Sequence, residues 1–303
     1  MKILLALNKT LNRDSVNRLD SGYYNIYIPL LELGHQVYFY DTIDPTEKNF
    51  QKVVDKFKPD LIFCCLTGNR NIAPYEPSFE EISEITKKGN IITFNWFCDD
   101  TWRFDNFSQI VCNSFTVCST PELDYINKYK EIGYDNIILG QWHCNENLYL
   151  SNNYRHKIGF CGGITKSRIN FFNSIKESVS YLQSCSYEDL IQHYSSSRMV
   201  INPTTNDNDP EKKSQMKLRI FEATCANSML LTQNVKNIDH YFYPGKEIVV
   251  FDDIADCNDK LYYYSYAETS VAEIARKGRE RFLREHTSKI RLEKILHEIK
   301  KIC

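Results

Sequence analysis

One repeating pattern constrains this chain more than any other feature: short apolar runs, each reached through an amphipathic stretch and a turn. KILLALN opens as a compact apolar strand, and GYYNIYIPLLELGHQVYFYD then reads as a helix, a turn at Gly34 and a second strand. KNFQKVVDKFKPDLIFCCL repeats the scheme with its break at Pro59 and Asp60, and EEISEITKKGNIITFNWFCDD repeats it again. Shorter units follow in IVCNSFTVCST and ELDYINKYKEIGYDNIILG. Strands that alternate with helices predict a mainly parallel sheet covered on both faces.

The alternation pauses in QWHCNENLYLSNN and then resumes. HKIGFCGG reads as a strand with a glycine turn, KSRINFFNSIKESVSYLQ and SYEDLIQHYSSS as helices, RMVINPT as a strand, and NDNDPEKKSQ as a polar loop. A helix and strand in KLRIFEATCANSMLLT, a strand in EIVVF and a long amphipathic region from about Ala267 to Cys303 complete it. The expectation is two α/β domains, residues 1–145 and 146–303, the second including the terminal helices. Open parallel sheets take ligands at the carboxyl ends of their strands, so such a pair offers a cleft.

Composition removes several function classes. There are 37 basic and 39 acidic residues, interspersed, and the net charge of -2 gives no field for nucleic acid. The apolar run in MKILLALNKTLNRD is too short for a signal core or a membrane span, which predicts a cytoplasmic protein. The 11 cysteines include no Cys-x-x-Cys and sit in apolar runs such as DLIFCCL, so they read as small buried hydrophobes and not as a zinc or disulfide framework. No Gly-x-Gly-x-x-Gly follows the first strand, and no P-loop motif occurs.

In KLRIFEATCANSMLLT, Leu218, Phe221 and Cys225 form the apolar stripe of a short helix, closed where Asn227 can adopt the left-handed conformation. Glu222 falls at the border of that stripe. It reads either as a surface acid paired with Arg219, worth ~0.2–0.5 kcal/mol, or as a carboxylate kept for a ligand.

The ordered segments IGFCGGITKSRINFF, YEDLIQHYSSSRMVINPT, KLRIFEATCANSMLLT, YFYPGKEIVVFDD and IARKGRERFLREHTSKIRLEKIL resemble the C-terminal half of GT-B glycosyltransferases. The likeness extends to the branch of the spore-maturation protein CgeB and related group 1 transferases, with weaker echoes in NWFCDD and NIILGQWHCN. The resemblance implies two Rossmann-like domains with parallel sheets facing across a cleft, and a C-terminal helix packing back across them. It also implies sugar transfer from a nucleotide-sugar donor, a UDP- or GDP-sugar, to a hydroxyl acceptor on a glycan, a lipid-linked carrier or a protein, without a metal or other cofactor. Glu222 then meets the ribose hydroxyls, for which a carboxylate is a double acceptor. The acid often found eight positions earlier is here Ser214, and Glu211 and Asp209 are the nearby substitutes.

Further candidates follow from local chemistry. The turn from Gly162 and Gly163 to Lys166 and Arg168 opens a helix, so its amides and basic side chains suit a diphosphate. Lys217 and Arg219 are further phosphate ligands, of which at most one serves. Asp99 and Asp100 are candidates for general base or acceptor orientation, and His143 for contact with donor or acceptor. Asn202 to Gln215 is a candidate lid, and Tyr23 and Tyr24 occupy the loop that, in the enzymes this chain resembles, faces the acceptor. A basic amphipathic segment carrying Arg276, Lys277, Arg279, Arg281, Arg284, Lys289, Arg291 and Lys294 suits either peripheral membrane contact or a solvated face. Two other functions share the architecture: a sugar-nucleotide epimerase and a non-catalytic nucleotide-sugar-binding protein.

Overall fold

A computed structural model describes residues 1–11, 16–205, 207, 209, 211 and 213–303. Contacts divide the chain into two units, Met1–Gln141 with Ser288–Cys303, and Trp142–Thr287. The first unit holds β1 (Lys2–Leu7), β2 (Gln36–Asp41), β3 (Leu61–Cys64), β4 (Ile92–Trp96), β5 (Val117–Thr120) and β6 (Ile137–Leu139). They form one six-stranded sheet in the order β2-β1-β3-β4-β5-β6, every pairing parallel. β3 is buried along its whole length, as a strand covered on both faces must be.

The second unit holds β7 (His156–Cys161), β8 (Ser180–Leu182), β9 (Ser197–Asn202), β10 (Met229–Gln233) and β11 (Val249–Phe251). Its five strands run parallel in the order β11-β10-β9-β7-β8. The chain goes outward from β7 to β8, then crosses back to β9, so the strand order reverses between β7 and β9. That reversal opens a crevice at their carboxyl ends.

Two features differ from expectation. The helix predicted through KSRINFFNSIKESVSYLQ stops at Ser174, and Ser180–Leu182 forms the edge strand β8 instead. The helix has no fully buried face, and Ile175 and Val179 beyond it pack on the core as extended chain, while Tyr181 packs on Phe160 and Phe172 at 4.9 and 5.3 Å between ring centroids. The terminal helices also divide. Glu268–Glu285 stays with the second unit, and Ser288–Ile302 joins the first, burying Leu292, Ile295, Leu296 and Ile299 and pairing Lys289 with Glu32 at 2.8 Å. The first unit therefore ends at Gln141 and regains residues 288–303, in place of a single boundary at 145.

Gly278 explains how closely the Glu268–Glu285 helix lies on its unit. A Cβ there would stand 2.4 Å from the Glu247 carbonyl oxygen and 3.5 Å from the Thr224 methyl. Gly278→Ala is expected to destabilise by about 1–3 kcal/mol from overpacking, although alanine is intrinsically the better helix former. Urea unfolding measures this, and an unchanged or higher midpoint would show that the helix has room to shift.

Candidate functional site

The apolar strand β7 delivers Cys161 to the crevice, and Gly162 follows with φ 157°. A Cβ on Gly162 would lie 3.0 Å from Arg219 Nη2 and 3.1 Å from Arg168 Nη1. Two guanidinium groups thus converge on one backbone position. Arg219 comes from the helix Leu218–Cys225 and spans the reversal point. Its Nη2 donates to the Cys161 carbonyl at 2.7 Å, its Nη1 to Asn202 Oδ1 at 2.8 Å and its Nε to the Tyr194 hydroxyl at 3.0 Å. Cys161 ends β7 and Asn202 ends β9, so this one side chain ties together the two strands that flank the crevice.

Arg168 reaches the same place from the helix Lys166–Ser174, donating to the Gly163 carbonyl at 2.7 Å. Both guanidiniums lie over the Phe160 ring, at 5.6 Å for Arg168 and 4.4 Å for Arg219. Burial, with the neighbouring Arg219 charge, pulls the Arg168 pKa below its usual value. Among the described residues, neither guanidinium forms an ion pair with a carboxylate. Paired like charges held at the mouth of a sheet concentrate positive potential on whatever anion enters.

The other predicted donor residues divide. Lys166 is exposed at the helix start, and the Ser167 amide donates to Asp207 at 3.2 Å. Lys217 Nζ donates to Gln215 Oε1 at 3.1 Å, whereas Arg219 turns to the strand ends. Glu222 is only 5 % exposed, so the surface pairing with Arg219 fails: all the Arg219 hydrogen bonds go elsewhere. Burial raises the Glu222 pKa to about 7, against the opposing pull of Arg219 and of the Tyr187 hydroxyl. Asn227 takes the left-handed conformation expected of it, φ 55°, and donates to Asn152 Oδ1 at 2.7 Å.

Ser214 forms an isolated bridge with Thr205. Neither substitute acid is turned toward a ligand: Asp209 accepts from the Glu211 and Lys213 amides at 2.9 and 3.2 Å, and Glu211 pairs with Lys213 at 2.6 Å. Asn206, Asn208, Pro210 and Lys212 of the candidate lid lie outside the described residues. His143 is buried at 1 % exposure, so its ring presents almost no surface to a ligand.

In the first unit the two adjacent aspartates part company. β4 ends at Trp96, before either of them. Asp99 precedes the short helix Asp100–Arg103 and lines a cavity of about 110 Å³ with Cys65, Thr67, Cys98 and Arg103. Asp100 is 1 % exposed and accepts from the Tyr129 hydroxyl at 2.9 Å. Burial holds its carboxyl above the usual range, and it serves the core instead of a ligand, correcting its place among the catalytic candidates. Tyr24 is likewise buried, while Tyr23 joins Tyr27, Phe39, Lys9 and Asp41 around a cavity of about 170 Å³.

Sequence reasoning missed Tyr194, Tyr187 and Arg103, and it put Asn202 in the candidate lid, whereas Asn202 is the buried last residue of β9. Asn202 had a usable signal, a polar residue closing the apolar strand in RMVINPT; the two tyrosines are hidden among 20. The basic C-terminal segment is largely neutralised by its own acids: Arg276 pairs with Glu280, Lys277 with Glu273, and Arg281 and Arg284 with Glu285. Nothing in it favours a membrane surface, and among the described residues no helix is long and apolar enough to cross one.

Residues 148–297 match the model of the family described as glycosyl transferase-like. That stretch belongs to that family. Among curated proteins none matches the transferase. Solved structures match it along nearly the whole length. A sucrose-phosphate synthase from Thermosynechococcus elongatus superposes with a TM-score of 0.69 at 10% identity, covering 100% of both chains. HepE from Anabaena, in complex with UDP-glucose, gives 0.67 at 11% identity over 99% of this chain and 100% of that one. A glycosyltransferase from Rickettsia africae gives 0.62 at 11% identity over 99% and 98%. At these identities the likeness establishes the fold, and the two Rossmann-like units are those of GT-B glycosyltransferases.

Proposed function

We propose that the transferase moves a sugar from a nucleoside diphosphate donor, a UDP-sugar before a GDP-sugar, to an acceptor hydroxyl without the help of a metal ion. The observation that carries this is the pair Arg168 and Arg219, converging without a carboxylate partner among the described residues at the end of β7. Breaking the bond between the sugar and the diphosphate leaves negative charge on the leaving group, and two fixed guanidiniums stabilise charge where it develops. Glu222 accepts from the ribose hydroxyls. Asp99, lining its cavity in the first unit, orients the acceptor hydroxyl or takes its proton. Preference for uridine is supported by the fold likeness to HepE bound to UDP-glucose.

The test is a thermal-shift and calorimetric series with UDP, UDP-glucose, GDP, ADP and uridine, with and without EDTA. At 100 times its dissociation constant UDP should stabilise by ~2.7 kcal/mol, EDTA should leave that unchanged, and uridine should bind at least about tenfold more weakly. Uridine binding as well as UDP would remove the diphosphate from the arginine pair. Loss of UDP binding in EDTA would make the donor site metal-dependent.

A further inference from the structure

Among the 11 cysteines, Cys65 and Cys98 are placed for chemistry that neither the fold nor sugar transfer requires. Cys65 directly follows β3, and Cys98 follows β4 by two residues, so both stand at the ligand end of the first sheet. Their sulfurs face each other at 3.4 Å, within hydrogen-bond contact of two thiols. Both are half-buried, and both line the 110 Å³ cavity that also holds Asp99 and Arg103. A disulfide needs an S–S distance of about 2.05 Å, so closure asks for roughly 1.4 Å of approach. The Cys65 amide still donates to the Ala6 carbonyl of β1 at 3.1 Å, so the approach falls to rotation of the two side chains and to the connection that carries Cys98.

We infer that Cys65 and Cys98 form a reversible dithiol–disulfide site whose oxidant is a hydroperoxide small enough to enter the cavity. One thiolate attacks a peroxide oxygen, giving a sulfenic acid and releasing hydroxide, which takes up the proton the thiol lost. The second thiol attacks the sulfenic sulfur, the disulfide forms and water leaves. In sum, two thiols and one hydrogen peroxide give one disulfide and two waters. At about 110 Å³, against about 30 Å³ for a water molecule in the liquid, the cavity takes a molecule of the size of hydrogen peroxide and is too small to enclose a peptide disulfide such as oxidised glutathione. The new bond would span 33 residues and join the connections after β3 and β4, immediately beside Asp99. Cys161 and Cys185 in the second unit stand at the same separation, 3.4 Å, but Cys161 ends a buried strand at 4 % exposure.

The experiment treats the whole chain with a small excess of hydrogen peroxide, quenches with catalase, alkylates free thiols under denaturing conditions and maps the peptides by mass. Expected is a fall from 11 alkylatable thiols to nine, a peptide bearing Cys65 linked to one bearing Cys98, and full reversal by dithiothreitol. Cys98→Ser should stop the reaction at the sulfenic acid of Cys65, trapped by dimedone, because the contact with Cys65 and burial push the Cys98 thiol up and leave Cys65 to attack first, while Cys161→Ser should leave the link intact. An unchanged thiol count, a link between Cys161 and Cys185 instead, or equal speed with oxidised glutathione would overturn the assignment. Because the readout is thiol chemistry, it stands or fails separately from the donor and acceptor assignments.

Discussion

Arg219→Ala is expected to lower kcat/KM for the nucleotide-sugar by about 100- to 1,000-fold, the loss of roughly 3–4 kcal/mol of charge-assisted stabilisation of the leaving diphosphate. The same change leaves Asn202 Oδ1 and the Tyr194 hydroxyl oxygen without the Arg219 donor and the Cys161 carbonyl with only the Tyr194 hydroxyl at 3.3 Å, so stability should fall as well. Arg168 separates the two effects. It donates to one exposed carbonyl, that of Gly163, and the charge that acts on it most is the repelling Arg219. Arg168→Ala should therefore keep the melting temperature within a degree or two or raise it, while weakening UDP binding by about tenfold or more. Melting curves and UDP calorimetry on both variants decide the matter. If Arg168→Ala binds UDP like the native chain, the pair has no anion to hold, and Arg219 is only the tie between β7 and β9.

These two arginines also show what the sequence reveals and what it hides. The strands and helices were legible because each apolar run and each Gly or Pro break acts locally; β8 was missed because three residues at a sheet edge have no periodicity of their own. Arg168 was legible because it lies in the same strand–turn–helix as Gly162 and Gly163. Arg219 was visible as a basic residue, but its three partners come from β7, the Tyr187–Ser195 helix and β9, and nothing in KLRIFEA points to them. Asp99 and Asp100 are alike in sequence. They diverge only because the chain starts a helix between them, turning one carboxylate toward Tyr129 in the core. Likewise the stripe of Leu218, Phe221 and Cys225 set the helix face correctly, yet it placed Glu222 only at the border, because the second wall that buries it is built by Tyr187 from another helix.

Glu222→Gln is expected to make the ligand-free protein more stable and the donor complex weaker. Burial holds the native carboxyl at about 7, against 4.5 for an unhindered glutamate. Between those values the folded state binds more protons than the unfolded state. Stability must then fall as pH rises through the window and stay low above pH 7, by up to about 3 kcal/mol. Glutamine carries no charge to desolvate, so the variant should lose this slope, matching the native protein near pH 4.5 and exceeding it above pH 7. Donor binding should run the other way. Ribose hydroxyls donate to the ionised carboxylate, so native affinity should improve about tenfold between pH 6 and 8, and binding at pH 7 should release roughly half a proton. Phosphate ionisation adds its own slope in that range, and Glu222→Gln retains only that part. Calorimetry in buffers of different ionisation enthalpy measures the released proton, and urea unfolding across the same pH range measures the stability. A variant that gains stability but binds UDP with native affinity would make Glu222 a strained core acid with no ligand. One that loses both would mean that the carboxylate, with Tyr187 and Arg219, holds the second unit together.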